Sequence, residues 1–232
     1  MIYNFFDKAF VINLPDRKLR LSRISRRLKN LHIEFEIVEG IIPPFSKKLI
    51  HNKGHLGATL SHLYIWEKAK REKYKFFLVF EDDALFRDDS EEIFKESITQ
   101  LPTNWDMFFM GFCLLGKNTK ISNNIFSFEK GCHFHAYAVN SKALNYIIKK
   151  GKIFIENMKN GKKGFIDNFI MSDIQLKKYH IHPILSVQEP SFSNTGGGNR
   201  LNEYFKVFSK EEFVKNCKEL AEWYKGNKKI YD

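Results

Sequence analysis

Short, nearly continuous apolar runs alternate along this chain with longer stretches whose apolar residues recur every three or four positions. The first pattern marks buried strands and the second amphipathic helices. Ala9 to Leu14 (AFVINL), ended by Pro15, reads as a strand. Asp16 is placed to cap a helix to about Asn30, with Leu21, Ile24 and Leu28 on one face. Phe35 to Val38 predicts a second strand, closed by Gly40. This β-α-β opening starts a parallel-sheet α/β domain. Pro43, Pro44 and Gly54 predict a loop over 41–56, and a helix follows from about Ala58 to Arg71. Phe76 to Phe80 (FFLVF) is unbroken, as a central strand covered on both faces should be. A helix over Asp89–Thr99 and strands over Trp105–Gly111 and His133–Val139 come next. Ser141 would cap a helix from Lys142 to about Lys149. A helix over Asp167–Lys178, a strand over Ile184–Val187 and a Gly-rich loop over Pro190–Asn199 follow. In that loop Ser193, Asn194 and Thr195 could line a lid or be ordinary loop residues. Lys210 to Tyr224 predicts a terminal amphipathic helix. With no repeat and no long linker, residues 1–204 read as one α/β domain and 205–232 as a basic helical tail.

Charge changes this picture. Lys and Arg total 38 against 27 Asp and Glu, a net charge of +11 over 232 residues. At 43% hydrophobic residues the chain is globular rather than disordered. No apolar run reaches the ~20 residues of a spanning helix, and the N-terminus has no secretory pattern. Cys113, Cys132 and Cys217 are too scattered for a disulfide framework or a zinc site. The expected station is therefore the cytoplasm. Basic residues gather between Arg17 and Lys29 and again between Lys206 and Lys229. No helix-turn-helix, RNA-recognition or zinc-finger signature accompanies them, so no nucleic-acid partner is expected.

The candidate chemistry lies directly after the central strand, where Glu81, Asp82 and Asp83 follow five apolar residues. At the C-terminal edge of a parallel sheet such acids face the crevice where α/β folds bind ligands. Their mutual repulsion needs compensation, and a divalent cation with hard oxygen ligands supplies it. A solvated turn that helps a helix N-terminus is the plain alternative. Arg17, in the first strand-to-helix turn, sits at the same edge and suits phosphate, or else is a solvated helix residue.

Four blocks in order resemble glycosyltransferase family 25, the lipooligosaccharide β-galactosyltransferase and collagen galactosyltransferase family. They are VINLPDRKLRLSRISRRL (Val11–Leu28), GHLGATLSHLYIWEKA (Gly54–Ala69), FLVFEDDALF (Phe77–Phe86) and WDMFFMG (Trp105–Gly111), with HAYAVNSKAL (His135–Leu144) and IDNFIM (Ile166–Met171) following. The resemblance implies a GT-A type fold, with a nucleotide-sugar-binding, mostly parallel α/β sheet flanked by helices. It implies a UDP-sugar donor, most often UDP-galactose, and Mn2+ or Mg2+. It places Glu81 and Asp83 on the metal and diphosphate, with Asp82 beside them, and Asn13, Leu14 and Arg17 along the nucleotide. Ser61 and His62 match the family's SH pair. Asp167 would be the base of an inverting transfer, with Asp173 the second candidate. The chain departs from the family at His55 and Ala58, where Glu and Cys are common, and at Asn168.

The remaining signals divide. A lone helix histidine such as His62 is more often structural than catalytic, and Trp66 reads as core. His133 and His135 alternate on one strand, as do His180 and His182, a spacing that permits ligation but more often serves packing. The terminal helix could set lysines and aromatics against an anionic membrane surface or pack on its own domain. The leading expectation is a metal-dependent hexosyltransferase acting on an oligosaccharide or lipid-linked glycan, peripheral at the inner face of a bacterial inner membrane. The alternative is a non-catalytic nucleotide- or polyanion-binding protein of the same fold.

Overall fold

The computed structural model describes residues 5–44, 53–190 and 209–226. Its centre is an eight-stranded sheet. In spatial order the strands are β2 (Glu36–Glu39), β1 (Lys8–Asn13), β3 (Phe76–Glu81), β8 (Gly131–Asn140), β5 (Met107–Leu114), β9 (Lys178–Ile181), β7 (Ile125–Phe128) and β6 (Asn118–Lys120). The ladders β2–β1, β1–β3 and β5–β9 are parallel. Because β8 and β7 alone reverse among these strands, six of the eight run one way, a mostly parallel sheet. A two-stranded antiparallel pair, β4 (Ala84–Phe86) with β10 (Ser186–Gln188), stands beside it.

The strand side chains alternate between two cores. On β3, Phe77 and Val79 enter one core while Leu78 and Phe80 enter the other. Met107 and Phe109 oppose Phe108 and Met110 on β5 in the same way. Covering both faces is what makes these strands apolar throughout. The first core takes residues of α2 (Lys53–Arg71), α4 (Leu144–Lys159) and α5 (Ile166–Met171). The second takes residues of α1 (Lys18–Asn30) and α3 (Ser90–Ile98). The parallel strands β1 and β3 end side by side at Asn13 and Glu81, which fixes the sheet edge where the acids emerge.

Several expectations are corrected. Asp16 does not cap α1; Arg17 stands at the N-cap without a side-chain cap bond. Asn140, not Ser141, accepts from Lys142 N at the turn before α4. That helix runs on to Lys159, through Gly151, because Gly151 lies close against Leu63 and Trp66. The helix predicted to reach Lys178 ends at Met171. The Lys178 ammonium donates to the Met171, Asp173 and Glu129 carbonyls, and Asp173 accepts from Gln175 N. These bonds turn the chain out of the helix and deliver Lys178 to β9. The terminal helix is two short ones, α6 (Lys210–Lys215) and α7 (Lys218–Gly226), with Phe213, Cys217 and Leu220 buried in the first core. Residues 205–208 and 227–232, and the Ser193, Asn194 and Thr195 loop, lie outside the described residues.

Candidate active site

A cleft of about 500 Å3 opens at the ends of β1 and β3. Its lining includes Glu81, Asp82 and Asp83 with Leu14, Arg17 and Arg20, and also His133, Phe165 and Asp167. Ser61 and His62 on α2 line it too.

The carboxylates are held by specific donors. Asn13 Nδ2 donates to Asp82 Oδ2 at 2.7 Å and to the Arg17 carbonyl at 3.3 Å, so both amide hydrogens serve the cleft wall. Asn13 thus brackets Asp82 against the turn at Arg17. Arg20 Nη1 bridges Asp82 Oδ1 at 3.0 Å and Asp83 Oδ2 at 3.4 Å. Arg20 escaped the sequence reading, although it lies one helical turn after Arg17 on the face that meets the cleft. Gln188 Nε2 donates to Glu81 Oε2 at 3.2 Å, and Glu189 N donates to the Asp83 carbonyl at 2.7 Å. Both come from β10 and its end, a strand with no local signal of its role.

Loss of water pushes the Glu81 carboxyl up to about 8, helped by Asp82 and Asp167. Burial likewise pushes Asp83 up to about 8, helped by Glu81 and Asp82, while Arg20 pulls it down. Asp83 Oδ1 is buried without a hydrogen-bond partner. Among the described residues no three His, Cys, Asp or Glu side chains are grouped to hold a metal ion. The hard oxygens of Glu81 and Asp83, with Asp83 Oδ1 unpartnered, nevertheless fit a divalent cation whose other ligands come from a bound diphosphate.

Ser61 Oγ donates to the Gly57 carbonyl and accepts from Ile41 N, each at 2.8 Å, which ties the loop after β2 to α2. Gly57 is required there, because a Cβ would stand 2.4 Å from the Ile41 oxygen. His62 is buried, and burial drives its ring down to about 3, so it is neutral.

Asp167 lines the cleft at the start of α5 and accepts from His133 N and from Asn168 N. His133 holds φ +58°, a left-handed backbone uncommon for a residue with a side chain. That twist breaks the strand alternation, so His133 reaches the cleft while His135 stays in the interior. Asp173 does not line the cleft. It accepts from Tyr146 OH at 2.9 Å and pairs with Lys150 at 2.7 Å, which hold its carboxyl below the usual range despite some burial. Phe165, at the cleft rim and 44% exposed, stands edge-on to His55 at 4.4 Å.

The model of Glycosyltransferase family 25 (LPS biosynthesis protein) matches residues 6–163, a span that includes the whole acidic wall. The chain is 28% identical over 131 residues to the rat "Probable inactive glycosyltransferase 25 family member 3", covering 46% of this chain and 23% of that protein. It is 28% identical over 130 residues to human "Procollagen galactosyltransferase 2", covering 46% of this chain and 21% of that protein. It is 24% identical over 170 residues to "Lipooligosaccharide biosynthesis protein lex-1" of Haemophilus influenzae, 64% of this chain and 54% of that protein. The matched region thus spans less than a quarter of the two animal proteins and about half of the bacterial one.

Proposed function

Because this chain belongs to glycosyltransferase family 25, we propose that it is an inverting hexosyltransferase. Its donor is UDP-galactose, and its acceptor is a hydroxyl of a surface glycan such as lipooligosaccharide. The donor class follows the galactosyltransferase relative and the acceptor class the lipooligosaccharide relative. The observation that carries the reading is one cleft lined by three consecutive acids, two arginines and a further carboxylate, Asp167.

In this reading the donor diphosphate lies against Arg17 and Arg20. The guanidinium of Arg20 already bridges Asp82 and Asp83 and can share its hydrogens with phosphate oxygens. Glu81 and Asp83 would hold Mn2+ or Mg2+, which supplies charge neutralisation for the departing diphosphate. Asp167 accepts the proton of the acceptor hydroxyl as that oxygen bonds the anomeric carbon, and the sugar–phosphate bond breaks on the opposite side. Two backbone N–H groups orient the Asp167 carboxylate for this task.

A binding protein without turnover is the second reading, favoured by the rat relative described as inactive. A panel of nucleotide sugars with Mn2+, read by release of free nucleotide diphosphate, separates the two and names the donor. Turnover is expected with UDP-galactose. Asp167→Asn should lower kcat by at least about 100-fold while nucleotide affinity holds, since a positioned base contributes about 10²–10⁴. Tight nucleotide binding with no release from any sugar would establish the second reading.

A further inference from the structure

Behind Glu81 runs a buried chain of polar groups that the transfer chemistry has not used. Trp66 Nε1 lies 3.1 Å from Tyr137 OH, Tyr137 OH lies 2.8 Å from His62 Nδ1, and His62 Nε2 lies 3.3 Å from Glu81 Oε1. Trp66 and Tyr137 are fully buried and His62 nearly so. The ring of His62 is also held edge-on to Phe134 at 4.7 Å.

The direction of these bonds follows from the donor inventory. An indole N–H only donates, so the Tyr137 oxygen accepts from Trp66. The hydroxyl proton of Tyr137 then goes to His62 Nδ1, the acceptor within reach. A neutral imidazole that accepts at Nδ1 carries its hydrogen at Nε2. That hydrogen points at Glu81 Oε1. The opposite tautomer would leave the Tyr137 proton without an acceptor in a buried site, which is costly. Glu81 Oε2 meanwhile accepts from Gln188, so both oxygens are held.

We infer that His62 is a positioning residue, locked by Tyr137 as the Nε2–H tautomer, whose N–H holds Glu81 in place for the donor site. This rests on the transferase reading for its purpose, though the tautomer does not depend on it. A ligand carboxylate oriented by an outer donor loses about 10–100-fold in affinity or activity when that donor is removed.

The test uses the full chain. In protein labelled with 15N-histidine, long-range proton–nitrogen NMR reads the tautomer, and the His62 signal is assigned by its loss in His62→Gln. Nε2–H is expected; a protonated Nδ1 overturns the inference. A glutamine amide reaches the place of Nε2, whereas an asparagine amide reaches only that of Nδ1. His62→Gln should therefore keep Mn2+ affinity, by calorimetry, and kcat within about threefold, while His62→Asn loses about 10–100-fold in both. Equal losses in the two variants overturn the inference. If either variant melts early, the wild-type tautomer decides alone. A wild-type chain that binds no Mn2+ and releases no nucleotide from any sugar overturns the transferase reading instead, and the tautomer still decides the state of His62.

Discussion

At the scale of single residues the acidic triplet depends on partners brought from far along the chain. Arg20 and Gln188 meet Asp82, Asp83 and Glu81 only because α1 and β10 fold onto the same edge. The metal was inferred from repulsion, and the structure answers part of that repulsion with Arg20. A pH prediction follows from the rest. Glu81 and Asp83 both rise from the ordinary carboxylate range to about 8. Between about pH 5 and pH 8 the unfolded chain has released protons that the folded chain still holds, so stability falls as pH rises. The two carboxyls interact, so the decline belongs to the pair as a whole. Thermal unfolding without added metal should show this decline. Asp83→Asn should flatten it and raise stability near pH 8. Mn2+ should stabilise the wild-type chain more at pH 8 than at pH 6, because the cation takes sites that protons otherwise fill. A stability that climbs over this range would contradict the arrangement.

At the scale of elements, the strands of the doubly covered sheet were read well because both faces are buried and the apolar run has no gaps. Errors fell where a tertiary contact overrode a local signal. The helix expected to stop near Lys149 runs on through Gly151, where the missing side chain gives α4 a close approach to Trp66. The stretch after Met171 looked helical, yet three carbonyls gathered on the Lys178 ammonium end it. The β6–β7 hairpin went unseen because β6 is exposed throughout and carries no apolar pattern. Gly57 tests the contact between elements that shapes the cleft. An added methyl would meet the Ile41 carbonyl, which is backbone and cannot step aside cheaply. Gly57→Ala should destabilise the fold by about 1–3 kcal/mol in urea unfolding. It should also raise the KM for donor more than it lowers kcat, because the loop after β2 lines the cleft. An unchanged donor KM would separate that loop from donor binding.

At the scale of the whole molecule, the excess of 11 positive charges has to be set against what the C-terminal helices bury. Phe213, Cys217 and Leu220 lie in the core, and Trp223 and Tyr224 pack partly against it. Arg27 pairs with Glu219, and Arg87 with Glu212, which ties both helices to the α/β body. The described apolar residues of these helices therefore face the body of the protein, and no described helix is long and apolar enough to cross a membrane. These helices expose Lys215, Lys218 and Lys225 among Glu211, Glu212 and Glu222, so their outer face is balanced in charge. Attachment to an anionic surface would then draw on the whole chain's positive excess and be electrostatic, at about 1 kcal/mol per basic residue near the surface. It should fade as salt shortens the Debye length from ~10 Å at 0.1 M to ~3 Å at 1 M. Co-sedimentation with phosphatidylglycerol vesicles at low salt should therefore recover the chain, and phosphatidylcholine vesicles should not. Binding should be lost at high salt, and the triple variant Lys215→Glu, Lys218→Glu, Lys225→Glu should weaken it at low salt. Binding that survives high salt would mean that α6 and α7 leave the core to insert, and the pairs from Arg27 and Arg87 would then have to open first.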